Sequence, residues 1–176
     1  MERIADIIGI GAMGILCWQD FRSRQIAWWL LPIIALVLLK IALRNNSATE
    51  VGKEFSINIF FLLIQFSLLW IWFSLKNKKV TKIIDQQIGF GDVLFMICIA
   101  LAFSPANFLL FYTIGMIATL LLTIIVRIFL STIKSEIPLA GALALPLIVL
   151  FLWRIIDPSK NFYSDEWLMQ LVEYKS

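Results

Sequence analysis

The chain has 176 residues, of which 61% are hydrophobic and only 15% charged, and its mean hydropathy is +0.90. Soluble domains average about 45–50% apolar and about 25% charged residues, so an ordinary soluble domain is excluded and a one-domain integral membrane protein is indicated. The net charge of +3 does not predict nucleic-acid binding, because the basic residues lie in short segments between apolar stretches, as topology signals do.

Six apolar stretches, taken in chain order, are each long enough or nearly long enough to span a bilayer. They cover residues 4–19, 28–43, 57–75, 93–104, 107–130 and 138–156. We expect the first to be a retained helix, because Asp6 interrupts its start and no A-x-A cleavage site follows. The sequence therefore predicts an all-α membrane protein. It is a six-transmembrane-helix bundle over residues 1–156, with an extramembrane C-terminal tail at residues 157–176.

The loop charges predict the orientation of this bundle, since basic residues favour the cytoplasmic side. The loops at residues 20–27, 76–92 and 131–136, with the adjoining helix ends, contain eight cations, whereas the other loops and both tails contain six. The dense cluster "KNKKVTK" at residues 76–82 lies beside a helix end, where the rule is strongest. We therefore expect both termini to lie outside and these three loops to face the cytoplasm, in the inner (cytoplasmic) membrane.

Two aspartates from distant parts of the sequence then arrive at the same membrane face. Asp20 closes the first span in "CWQDFRSRQI", and Asp92 opens the fourth in "IGFGDVLFM". Taken singly, each has an ordinary interpretation, with Asp20 solvated beyond a helix end and Asp92 a helix N-cap. Taken together they suit aspartic protease chemistry, in which one carboxyl group stays protonated while its neighbour is ionised.

The other side chains narrow the chemistry further. The chain has no histidine, which excludes Ser-His and Cys-His catalysis and HExxH zinc proteases. Cys17 and Cys98 form no CxxC pair, so no metal site is predicted. Neither a metal ion nor an organic cofactor is needed for the chemistry of two carboxyl groups.

Gly89 and Gly91 flank Phe90 directly before Asp92. Glycine adopts backbone angles that other residues avoid, and it leaves room for another chain to approach. We therefore expect these residues to position an extended substrate strand beside Asp92. On this hypothesis Gly91→Ala would lose most activity and Gly89→Ala less.

These residues resemble the type IV prepilin peptidases, which are GxGD-type membrane aspartyl proteases that include the preflagellin peptidases. The family's first motif is approximately D-x5-[IL]-P-[ND], and this chain has Asp20 and Ile26 at the matching positions, followed by Ala27 and Trp28. The second is often GxGDxKL, matched here by "GFGDVLF" without the lysine. The last helix of the family often opens with a sequence like "IPFGPFLA", and "IPLAGALAL", which contains Pro138, is similar.

The resemblance implies that Asp20 and Asp92 are catalytic and that Gly89, Phe90, Gly91, Ile26 and Pro138 position the substrate. It also implies the substrate, a prepilin-like or pseudopilin precursor of type IV pili or type II secretion, cut where its short basic leader meets its apolar helix. The four-cysteine loop of members with an N-methyltransferase region has no counterpart here. Two alternatives remain: a GxGD protease for another membrane substrate, and a non-enzymatic transporter or assembly protein that binds a proton or cation at the two carboxylates.

Overall fold

The computed structural model describes residues 2–44, 46–80, 88–129, 138–157, 163 and 165. Its six helices, in chain order, are α1 (Glu2–Ser23), α2 (Leu30–Ala42), α3 (Ala48–Asn77), α4 (Phe90–Ala100), α5 (Pro105–Phe129) and α6 (Leu139–Ile156). The prediction of an all-helical protein is therefore confirmed for the part of the chain that the structure describes.

Four of these helices are long and apolar enough to cross a membrane, namely α1, α3, α5 and α6. With 13 and 11 residues, α2 and α4 are only about 20 and 16 Å long at about 1.5 Å per residue, against a hydrocarbon core of about 30 Å. The four long helices indicate a membrane protein, and the crossing of the bilayer by α2 and α4 stays a prediction.

The four helices α1, α2, α4 and α6 form a closed ring of contacts, with α5 against α6 and α3 against α4 and α5. Large apolar side chains fill the interior of this ring: Met13, Leu16, Leu30, Ile34, Leu38, Phe95, Met96, Ile99, Leu143, Leu147 and Phe151. By contrast, α3 and α5 expose large apolar side chains along their length: Ile57, Phe60, Leu63, Leu68, Trp72, Leu110, Ile114, Ile117 and Leu121. An exposed apolar surface of this extent suits contact with lipid.

Successive helices run in opposite directions, so the C-terminal end of α1 and the N-terminal ends of α4 and α6 lie together. We call this the aspartate end, and the opposite end the far end. Helix α3 begins at the far end nine residues earlier than predicted. A capping box starts it there, with Glu50 N donating to Ser47 Oγ (3.2 Å) and Ser47 N donating to Glu50 Oε2 (2.8 Å).

Polar contacts near the far end connect α3 and the C-terminal tail to the end of α4. The buried Asn58 amide of α3 donates to the carbonyl oxygens of Ala100 (3.0 Å) and Phe103 (2.9 Å). In the tail, Tyr163 Oη donates to the carbonyl oxygen of Leu101. These bonds satisfy carbonyl groups that a helix end leaves without an intrahelical partner.

Candidate active site

Both predicted aspartates meet the first turn of α6. The backbone N–H of Gly141 donates to Asp20 Oδ2 (2.6 Å), and that of Ala140 donates to Asp92 Oδ1 (2.8 Å). The first N–H groups of a helix have no intrahelical acceptor and carry partial positive charge, so they bind anionic groups. Two carboxylates, one from α1 and one from α4, thus cap the same helix through consecutive amides.

The two carboxyl groups lie close together, because their amide donors belong to adjacent residues. Their negative charges therefore repel each other. Their surroundings differ. Asp20 is buried, with 5% of its surface exposed, whereas Asp92 is half-buried. As whole residues they therefore differ in exposure, while both carboxyl groups are shielded from solvent by the surrounding protein.

The ordinary interpretation of each aspartate accounts for only part of this geometry. Asp92 is the third residue of α4, whose N-cap is Gly89, and its side chain accepts a hydrogen bond from the backbone of α6 as well as one from the backbone of Gly89 in its own first turn. Asp20 lies within the last turn of α1 and is buried, so it is not a solvated residue beyond a helix end.

The expectation of unusual backbone angles at the GFGD glycines is wrong, because no described glycine has a positive φ. What Gly89 and Gly91 allow is close approach. A methyl group on Gly89 would lie 3.0 Å from Asp92 Oδ2, and one on Gly91 would lie 3.1 Å from Ile26 Cδ1. Gly89 therefore makes room for the carboxyl group itself, and Gly91 makes room for the loop after α1.

That loop brings Ile26 to the site. Arg24, with φ of 54°, adopts the left-handed conformation that commonly ends helices and turns the chain away from α1. Gln19 Oε1 then accepts a hydrogen bond from Ala27 N at 3.0 Å, which holds the loop against the last turn of α1. Ile26 is thereby packed against Gly91, one residue before Asp92.

The remaining predicted positions also lie at this end of the bundle. Pro138 is the N-cap residue of α6, as expected of a proline that begins a helix, and it directly precedes the turn that binds both aspartates. Phe90 has 55% of its surface exposed, so its ring is available beside the site. All seven predicted site residues thus lie around the first turns of α4 and α6 and the end of α1.

Sequence reasoning missed three contributors to the site, namely Gln19, Ala140 and Gly141. Alanine and glycine contribute through their backbone amides, which any residue type other than proline would supply. The run of small residues after Pro138 in "IPLAGALAL" was the available signal, because a methyl group on Gly141 would lie 3.0 Å from Asp20 Oδ2. No group of three metal-ligating side chains occurs among the described residues.

Comparison with known families identifies the group to which the chain belongs. The model of the type IV leader peptidase family matches residues 7–126, a segment of 120 residues that contains both aspartates and the GFGD motif. The chain belongs to the type IV leader peptidase family. Family membership implies a protease that acts on a precursor protein, and it confirms the resemblance drawn from the motifs. Comparisons with curated proteins and with solved structures gave no match.

Proposed function

We propose that this membrane protein is an aspartic endopeptidase that removes the short basic leader of prepilin-like or pseudopilin precursors, with Asp20 and Asp92 as its catalytic pair. One observation carries the proposal: the two carboxyl groups accept hydrogen bonds from consecutive amides at the start of α6. This arrangement holds two acids of distant sequence origin at one point, as the chemistry requires.

In the proposed reaction the two carboxyl groups share one proton, because two like charges in close proximity are not both ionised readily. The ionised group takes a proton from a water molecule as the water oxygen attacks the scissile carbonyl carbon. The protonated group donates to the carbonyl oxygen. Collapse of the tetrahedral intermediate returns that proton and releases the amine, which takes up the proton removed from water.

The position of the pair supports a cut at the membrane surface. Both aspartates lie at helix ends of a bundle whose lipid-facing helices continue to that end, so a precursor with an apolar helix in the bilayer would present its leader junction there. The exposed Phe90 ring and the Ile26–Gly91 contact lie beside the pair. We assign to these residues the positioning of the extended segment around the scissile bond.

Reconstitution with a precursor tests the proposed substrate class. Purified protein in liposomes is mixed with a prepilin-like precursor, and the product's N-terminus is sequenced. We expect one cut at the junction between leader and apolar helix. As a matched control, the same precursor with its leader lysines and arginines changed to glutamine should be cut more slowly. Equal cutting of both precursors, or cuts scattered along the apolar helix, would contradict the proposed substrate.

Cysteine labelling tests the proposed orientation. Cys17 and Cys98 are first changed to alanine, and single cysteines are then introduced at Lys79 and Lys53, which are both exposed. A membrane-impermeant thiol reagent added to intact cells should label position 53 and leave position 79 unlabelled until the membrane is opened. The reverse pattern would place the aspartate pair on the face opposite the basic leader, and the prepilin assignment would then fail.

A further inference from the structure

The far end of the bundle has a cavity of about 210 Å³ between α1, α2 and α6. We call it the far-end cavity, and it is lined by Ala5, Asp6, Lys40, Ile41, Arg44 and Arg154. A water molecule's share of liquid volume is about 30 Å³, so the cavity has room for several waters or for a small charged group.

The charges around this cavity favour an anion. Three of its lining residues are cationic and one is acidic, and both arginines also interact with other groups of the protein. Arg154 is buried with 7% of its surface exposed, and it forms the base with Asp6, whereas Lys40 and Arg44 are exposed and form the rim. Cations at such different depths can surround a group that enters from the rim.

Asp6 adds a second requirement for the ligand. Its side chain is buried, with 6% of its surface exposed, and its Oδ1 atom has no hydrogen-bond partner in the described residues. A buried carboxylate oxygen without a donor is costly. A ligand that satisfies the cavity therefore has a negative group for the cations and a hydrogen-bond donor for Asp6.

The rim of the cavity lies at the far end of the bundle, where α2 ends at Ala42 and Arg44 follows. Asp6 precedes Asp20 by 14 residues on α1, and Arg154 follows Ala140 by 14 residues on α6, a rise of about 21 Å in each helix. The cavity and the aspartate pair are thus separated by less than the hydrocarbon thickness of about 30 Å. Exposed apolar side chains, Ile7 and Ile8 among them, lie on α1 beside Asp6.

We propose that the far-end cavity binds the phosphodiester headgroup of a membrane glycerophospholipid. The phosphate contacts the three cations, and an ammonium or hydroxyl group of the same headgroup donates to Asp6 Oδ1. The exposed isoleucines of α1 contact the acyl chains. This site is separate from the aspartate pair, and its occupancy does not depend on peptidase activity.

Lipid titration followed by native mass spectrometry of the purified protein tests the site. The probes are short-chain phosphatidylethanolamine, inorganic phosphate and short-chain diacylglycerol. The variant Lys40→Gln/Arg44→Gln alters only the exposed rim and should fold normally, as checked by thermal unfolding. Lys53→Gln is the matched control, since it removes an exposed cation near the start of α3, outside the cavity.

We expect the double variant to bind phosphatidylethanolamine at least about tenfold more weakly, which is the factor for losing a charge-assisted hydrogen bond, while Lys53→Gln binds like the wild type. Phosphate binding that falls equally in the double variant would support the site with free phosphate as its source. Equal binding of diacylglycerol, binding unchanged in the double variant, or binding of neither phosphate compound would overturn the proposal.

Discussion

Replacing Gly141 with alanine places a methyl group directly against the Asp20 carboxyl group. The added carbon would lie 3.0 Å from Asp20 Oδ2 and 3.0 Å from Phe21 Cδ2, whereas ordinary van der Waals contacts are about 3.5–4 Å. Either the carboxyl group or the ring must shift by several tenths of an ångström. Because Gly141 N also donates to the same oxygen at 2.6 Å, the shift strains the hydrogen bond that positions Asp20.

The size of the effect follows from two known magnitudes. A hydrogen bond to a charged group contributes about 1.5–3 kcal/mol, and misplacement by about 1 Å at a catalytic site costs roughly a hundredfold in rate. We therefore expect kcat/KM of Gly141→Ala to fall by about ten- to a hundredfold. The helix itself is not weakened, since alanine is favoured over glycine by about 1 kcal/mol within helices.

The assay is cleavage of a prepilin-like precursor in liposomes, with thermal unfolding as the measure of folding. Gly14→Ala is the matched control, because it lies on α1 and an added methyl group there meets nothing within 4 Å. If Gly141→Ala retains activity within about twofold of Gly14→Ala, far short of the expected loss, the contact between Gly141 and Asp20 is not required for activity and this reasoning is refuted.

Two further pairs of substitutions test the site and the far end of the bundle. The structure reverses the order of effects expected from the sequence. Gly89→Ala should reduce cleavage more than Gly91→Ala, because the first methyl group meets the Asp92 carboxyl group and the second meets the end of a flexible side chain; cleavage rates in the opposite order would contradict this geometry. Asn58→Leu should lower the free energy of unfolding by about 1–3 kcal/mol, because it removes two buried hydrogen bonds to backbone carbonyl groups. Asn46→Leu, which removes one partly buried local bond, should cost less, and equal losses in denaturant titrations would argue against the role of Asn58.

The helices could be predicted from the sequence because apolar runs identify buried or lipid-facing segments whatever their neighbours are. The predicted helix ends were less accurate where polar residues extend a helix beyond its apolar run. Helix α3 begins at Ala48 because Ser47 and Glu50 form a capping box, a signature that lies in the sequence but outside the apolar stretch at 57–75. Helix α4 ends at Ala100, where the carbonyl groups of Ala100 and Phe103 accept hydrogen bonds from Asn58, a tertiary contact that no local pattern shows.

The sequence predicted those parts of the site that depend on side-chain chemistry. Asp20 and Asp92 could be selected because ionisable groups are costly in membrane helices. Their common partner, the first turn of α6, could not be predicted. The donors there are the backbone amides of Ala140 and Gly141, and residue type does not reveal a backbone donor. The GFGD glycines were selected for backbone freedom and for the room they leave to a substrate strand. In the fold they make room for the Asp92 carboxyl group and for Ile26, neighbours that the residue types alone do not reveal.

The most direct test of the catalytic pair is single-turnover cleavage by Asp20→Asn, Asp92→Asn and the double variant. Asparagine keeps an oxygen that can accept from the α6 amide, so the fold should be preserved while the acid–base function is lost. We expect all three to fall to the same background rate, because one acid and one base act as a unit, while the control Asp157→Asn cleaves like the wild type. A folded single variant of Asp20 or Asp92 that cleaves near the wild-type rate would contradict the assignment of these two residues as the catalytic pair.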